Sequence, residues 1–427
     1  MNTKIRDKIK GKEMKLFVYM TVIILYMAAF LLASPMEIIQ GMKTIIWSKD
    51  ALITDYFKLA GYGAAFFNAA LVLTIGVSLV NLAKLPFTGI TIAALAIDVC
   101  FGFWGKNPIN IFPIFVGVLL YAKLHKASIG RYLYTALFGA CLGPMVTELM
   151  YKLPFPFGMK LVATIVIGIF IGLMLPPLSA HTVSMYMGYN LFNVGFSGGV
   201  LAFGIVCLMR AFSVEIEPVF IWQEGIHPGI TAGVYLYFIA VFFYGLWLSN
   251  GKIAKLWKIM KHPGRAIADF VLMDGPGATL MNMAMVGIVS ETYILLIGGD
   301  LSGPVQGAVF MAFGYAAFGV HLKNYIPVLG GVFLSCFLTQ YVPTTPGIQI
   351  AAIFAVGLAP IAGQFGPILG MTAGFLHAAI VMYTSQMYGG LNLYNNGFSC
   401  GWVAIIMVPL IESFMSGFEH RGRNRKK

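Results

Sequence analysis

Eleven residues of this chain recur in the same order at one fixed spacing. Thr182, Met185, Tyr186, Gly188, Asn190, Leu191, Asn193, Gly195, Phe196, Ser197 and Gly199 reappear 202 positions later as Thr384, Met387, Tyr388, Gly390, Asn392, Leu393, Asn395, Gly397, Phe398, Ser399 and Gly401. The chemistry open to such a set is recognition of an uncharged or zwitterionic solute. Asn190 and Asn193 are three apart, as are Asn392 and Asn395, so each pair shares one face of a helix. Each amide supplies donors and an acceptor without net charge. Gly195 and Gly397 admit backbone conformations that other residues resist. Ser197 and Ser399 are placed to cap a following helix and leave its first N–H groups free for a ligand. The same residues also suit an ordinary Gly/Asn turn between helices.

Two further pairs stand in repeat. Asn68 and Asn282 each lie seven residues into a glycine-led apolar segment, where an amide needs partners or faces a cavity. Asn110-x-x-Pro113 and Asn324-x-x-Pro327 read as helix starts, with Asn as cap and Pro in the first turn. The expected substrate-binding set is therefore Asn190, Asn193, Gly195, Ser197, Asn392, Asn395, Gly397, Ser399, Asn68 and Asn282. Ionisable residues within apolar segments are costly and point to function. Asp98 and Glu291 fall mid-segment and are the expected sites of coupling to H⁺ or Na⁺; His377 and Glu148 are similarly placed. No H-E-x-x-H, G-x-S-x-G or Walker A motif occurs, and the five cysteines form no C-x-x-C pair. No catalytic residue, metal site or cofactor is expected, and the chain is not read as an enzyme.

The elements that must position these residues are membrane helices. Hydrophobic residues make up 59% and charged ones 10%, where soluble domains hold about 25% charged residues. The formal charge of +12 sits in short runs, 4–15, 123–131, 252–265 and 421–427. That is the signature of cytoplasmic loops and not of a nucleic-acid surface. Fourteen apolar segments are legible: 15–34, 61–83, 86–104, 108–124, 129–150, 157–178 and 195–212, then 229–249, 275–297, 302–320, 324–341, 348–362, 365–384 and 398–414. Internal Gly and Pro mark some of them as re-entrant or broken. The linker 213–228 carries Glu215, Glu217 and Glu224 and no Lys or Arg, so it reads as external and both termini as cytoplasmic.

The duplication extends further. At an offset of 214, Gly61, Gly63, Ala64, Asn68, Gly89, Gly105, Asn110, Pro113 and Gly117 fall on Gly275, Gly277, Ala278, Asn282, Gly303, Gly319, Asn324, Pro327 and Gly331, and Asp55 falls on Asp269. The expected architecture is an all-α integral membrane protein of two repeats, 15–212 and 229–414. Basic cytoplasmic ends flank it, 1–14 and 415–427. Seven segments per copy, an odd number, give the halves opposite orientation, the inverted repeat of many secondary transporters.

The stretches GYNLFNVGFSGG, GLNLYNNGFSCG, GKNPINIFPIFVGVLLYAKL and FGACLGP resemble the bacterial domain-of-unknown-function family 1576, over about residues 15–414. The resemblance implies a multi-pass protein of the bacterial cytoplasmic membrane and no particular activity. The layout is similar to that of nucleobase and anion transporters in architecture alone. The expected function is a secondary transporter of a small polar solute, working in the lipid bilayer by alternating access; the chain could act as a homo-oligomer. The alternatives are a channel-like facilitator for a solute such as urea or ammonia, then an intramembrane enzyme or a subunit of a complex.

Overall fold

The computed structural model describes residues 11–266 and 268–424, so most of the basic N-terminal segment and the last three residues of the C-terminal one lie outside the described residues. Among the described residues the regular structure is helical. The first half holds α1 (Glu13–Leu32), α2 (Pro35–Ile46), α3 (Tyr56–Ala60), α4 (Tyr62–Leu82), α5 (Gly89–Gly102), α6 (Phe112–Leu124), α7 (Leu133–Gly139), α8 (Gly143–Lys152), α9 (Phe157–Thr182) and α10 (Asn193–Ala211). The second half holds α11 (Pro228–Leu248), α12 (Ala254–Ile259), α13 (Phe270–Met273), α14 (Pro276–Leu296), α15 (Gly303–Tyr315), α16 (Leu322–Ser335), α17 (Pro346–Phe354), α18 (Ala359–Phe365), α19 (Pro367–Met387) and α20 (Asn395–Asn424).

Each helix of the first half has its counterpart ten helices later, and local geometry follows the sequence repeat. Gly61 opens α4 at φ 85°, ψ 158°; Gly275 opens α14 at φ 86°, ψ 160°. A side chain is strained in that conformation, which accounts for glycine at both positions. Short 3₁₀ turns, Ala140–Leu142 and Ala355–Leu358, interrupt the α7–α8 and α17–α18 spans at equivalent places.

Among the described residues ten helical stretches are long and apolar enough to cross a membrane, and the chain is a multi-pass membrane protein. Its outward side chains agree: Leu31, Leu82 and Leu296 are about four-fifths exposed, which suits lipid rather than water. The count corrects the fourteen expected spans. Segments 86–104, 108–124, 302–320 and 324–341 fold as α5, α6, α15 and α16, of 14, 13, 13 and 14 residues. At about 1.5 Å per residue each covers roughly 20 Å, short of the ~30 Å hydrocarbon layer. The apolar runs looked longer because the turns that end these helices are themselves buried, among them Phe103, Trp104 and Ile111.

Of the short helices, α5 and α15 fill the centre. α5 packs along α15, where a Cβ on Gly307 would stand 2.4 Å from the Cys100 carbonyl oxygen. α6 packs on α9 and α16 on α19. The helix α2 lies outside the fourteen expected segments. Its signals were a Ser34–Glu37 capping box and buried Ile38, Gly41 and Ile45 on one face.

Candidate functional site

The tips of the short-helix pairs are pinned by the two intramembrane asparagines. Asn68 Nδ2 donates to the carbonyls of Gly102 and Lys106, at 2.7 and 2.8 Å. Asn282 Nδ2 donates to those of Ala316 and Val320, both at 2.8 Å. These carbonyls end α5 and α15 and would otherwise lack partners inside the protein. Asn110 and Asn324 serve the same turns: each Nδ2 donates to the carbonyl of a positive-φ glycine, Gly105 or Gly319, at 2.9 Å. Neither is the cap residue of its helix, since α6 starts at Phe112 and Asn324 is the third residue of α16.

The duplicated motif lies at the contact between the halves. Asn193 Oδ1 accepts the hydroxyls of Thr182 and Tyr186, and its Nδ2 donates to the Ser179 carbonyl. Asn395 repeats this with Thr384, Tyr388 and Val381. These amides are committed to holding α10 and α20 against the ends of α9 and α19. Asn190 and Asn392 each accept the amide two residues on, Phe192 N at 2.9 Å and Tyr394 N at 3.1 Å. Ser197 and Ser399 are not caps, because α10 and α20 begin at Asn193 and Asn395; Ser197 bonds to Thr182, and Ser399 meets Nδ1 of His377 at 3.0 Å.

The glycines of the motif make a crossing. A Cβ on Gly199 would meet the Phe398 ring at 2.4 Å, and one on Gly401 the Phe196 ring at 2.1 Å. Gly195 and Gly397 abut each other and the Tyr394 ring. This is close packing through a small-xxx-small pattern, once on each helix. The bonds across the crossing are exchanged: Leu191 N donates to the Gly357 carbonyl and Leu393 N to the Cys141 carbonyl, each in the 3₁₀ break of the other half, at 3.0 Å. Phe192 and Tyr394 meet with ring centroids 4.9 Å apart.

A cleft of about 310 Å³, apolar over most of its wall, opens beside this crossing. Asn395, Asn396, Ser385, Thr345, Trp104 and Met382 line it, with Val219 and Phe220 from the linker. None of its lining side chains is ionisable. The linker is held there by Ile53 N to the Val219 carbonyl and Ile221 N to the Ile53 carbonyl, 2.7 and 2.8 Å. Asn396 was not among the expected residues. Its Oδ1 is buried without a partner, as is Trp104 Nε1. Asn396 faces the imidazole of His377. A usable signal existed, since Val194 stands where the first copy would have Asn396.

The expected coupling residues are buried in separate places. Asp98 pairs with Lys106 at 3.0 Å, both side chains essentially inaccessible. Glu291 accepts Gln306 Nε2 on both oxygens, 2.9 and 3.1 Å. Neither touches the cleft lining. Glu148 has both oxygens buried without a hydrogen-bond partner.

A further carboxylate, Asp50, went unnoticed because it lies in a loop. It accepts from Ser48, Tyr56, Asn107, Asn110 and Thr147, at 2.5 to 3.1 Å. Burial pushes its pKa up to about 7 against the pull of those donors. Burial likewise raises Asp55 to about 6. At the surface Glu217 is held below the usual carboxylate range by Lys49 and Lys152. Among the described residues no group of three or more His, Cys, Asp or Glu side chains is arranged to hold a metal ion.

Comparison with curated proteins and with solved structures returns no match. A family described as "Protein of unknown function (DUF1576)" matches residues 34–211 and 248–413. Those two stretches take in the crossing, the short-helix pairs and most of the cleft lining, and the chain belongs to the DUF1576 family.

Proposed function

We propose that the chain is a secondary transporter of a small uncharged or zwitterionic solute, coupled to H⁺ or Na⁺. The observation that carries this is the cleft at the crossing of the halves, where Asn395, Asn396, Ser385 and Thr345 stand in an otherwise largely apolar wall and no lining side chain is ionisable. A strongly charged solute would leave its charge uncompensated there. The solute's polar groups would meet Asn396, Ser385 and Thr345, with Trp104 as an apolar wall.

Alternating access is supported by the repeat. Five long helices and one pair of short ones make up each half. A short pair that returns to the face it left adds no crossing. Five crossings reverse the second half, so the two halves are read as inverted repeats with the linker outside and both termini inside. Exchanging the conformations of two such halves moves the opening from one face to the other. In this reading the fourteen apolar segments are ten spans and two hairpins.

The test is thermal stability of the purified chain across a panel of neutral and zwitterionic metabolites, in sodium and in choline buffer. A ligand at about 100 times its Kd adds roughly 2.7 kcal/mol. A hit that Asn396→Ala abolishes supports the assignment; a hit insensitive to Asn396→Ala and Ser385→Ala overturns it.

A further inference from the structure

The buried ion pair at the tip of the first short-helix pair has an unusual make-up. Lys106 Nζ donates to Asp98 Oδ1 and to the Leu137 carbonyl, each at 3.0 Å, and stands 5.6 Å from the Phe101 ring centroid. Its side chain is fully inaccessible. Asp98 Oδ2 is buried and has no partner. Nothing equivalent exists in the second half, where Ala312 and Val320 occupy the related positions.

An ion pair kept only for stability gains little in such a place. Desolvation of both charges offsets their attraction unless the remaining polar atoms are satisfied, and apolar replacements are often as stable. Here one carboxylate oxygen is left unsatisfied. The ammonium sits between a carboxylate and a backbone carbonyl, both of which are oxygen ligands of the kind hard cations take. The three groups come from three different parts of the fold. Asp98 is on α5, Leu137 is in the last turn of α7, which ends at Gly139 before the 3₁₀ break, and Lys106 is in the turn between α5 and α6.

We propose that Asp98 and the Leu137 carbonyl form a monovalent-cation site, and that the Lys106 ammonium fills it as a tethered competitor of sodium. The inference rests on the transporter reading and names its coupling site. A sodium ion enters only when Lys106 leaves, and Lys106 leaves only when the turn shifts against α7. Cation binding is thereby tied to displacement of the turn whose Lys106 carbonyl Asn68 holds.

The test needs no solute. Melting temperatures of the purified full chain are compared in sodium chloride and choline chloride at equal ionic strength. The Lys106→Ala chain is expected to gain a saturable sodium-specific rise of a few degrees. The wild type is expected to respond only at much higher sodium concentration, because Lys106 competes, and the Asp98→Asn/Lys106→Ala chain not at all. A Lys106→Ala chain that responds no more than the double variant overturns the proposal. If Lys106→Ala yields folded protein only when purified in sodium, the site is supported; failure in both salts while the double variant folds marks a structural ion pair and overturns it. A null result here leaves the metabolite response at the cleft untouched, so the two readings fail separately.

Discussion

Asp55 and Asp269, 214 positions apart, each cap a helix in the opposite half of the chain. Asp55 accepts the amide of Gly303, which opens α15, at 3.1 Å, and Asp269 accepts that of Gly89, which opens α5, at 2.8 Å. Gly89 and Gly303 are themselves 214 apart. The two central short helices are thus held at their N-termini by reciprocal carboxylates, where negative charge is favoured.

Removing either carboxylate leaves several buried amides without acceptors. Asp55 also accepts Phe57 N and Gln223 N, and Asp269 also accepts Leu272 N. Each orphaned donor costs about 1–3 kcal/mol. Asp55→Ala and Asp269→Ala are each expected to lower the unfolding midpoint in detergent by a similar amount, and the double variant by roughly their sum. A variant as stable as the wild type would show the exchange to be incidental.

Asp50 makes a pH-dependent contribution of known sign. Its pKa is raised by burial from 3.8 to about 7, so the folded chain binds the proton more tightly than the unfolded one. The stability it confers is present below about pH 4 and is lost as pH rises through 7. Relative to Asp50→Asn, the wild type is therefore expected to lose stability between pH 5 and pH 8. Melting temperatures of both proteins across that range check the slope of the difference; a flat or rising difference contradicts the assignment.

The helix crossing is sensitive to single methyl groups. Gly199→Ala and Gly401→Ala would drive a Cβ into an aromatic ring, an overpacking that typically costs about 1–3 kcal/mol. Gly204 lies in the same helix as Gly199, and a Cβ there meets nothing within 4 Å. Gly204→Ala is expected to be neutral or to stabilise by up to about 1 kcal/mol. Equal effects of all three substitutions on thermal unfolding would remove the crossing from the account.

Within the motif, Asn392 and Asn396 are expected to separate. Asn392→Ala orphans the Tyr394 amide and should lower stability by about 1–3 kcal/mol. Asn396→Ala removes an unpartnered acceptor and should change stability by less than about 1 kcal/mol while weakening solute binding tenfold or more. Thermal shifts with and without a bound solute read both quantities.

Much of the fold was legible because the repeat is written in residues that do backbone work. Gly61 and Gly275 hold a positive φ, Gly105 and Gly319 turn the chain, and Asn68 and Asn282 bind the carbonyls at those turns. Few other side chains can do these jobs, so the identities persist where leucines drift. The length of α5, α6, α15 and α16 was not legible, since hydropathy cannot distinguish apolar residues facing lipid from those in a buried turn. The Lys106–Asp98 pair was not legible because Asp98 is eight residues earlier and across the Gly105 turn. Asn396 was not legible because a repeat is read from identities, and the cleft depends on a position where the copies differ.

The most direct test of alternating access uses that position. Asn396 lines the cleft on the linker face, and Val194 is its repeat-related residue. Asn396→Cys and Val194→Cys would be placed singly in a chain carrying Cys207→Ser and Cys336→Ser, since those two native cysteines are not buried. Labelling by a membrane-impermeant maleimide would be timed from each side of sealed vesicles. The account predicts that Asn396→Cys reacts from the linker side and Val194→Cys from the other, with rates that change in opposite directions as sodium or pH is varied. Rates that rise and fall together, or labelling of both positions from one side, would contradict it.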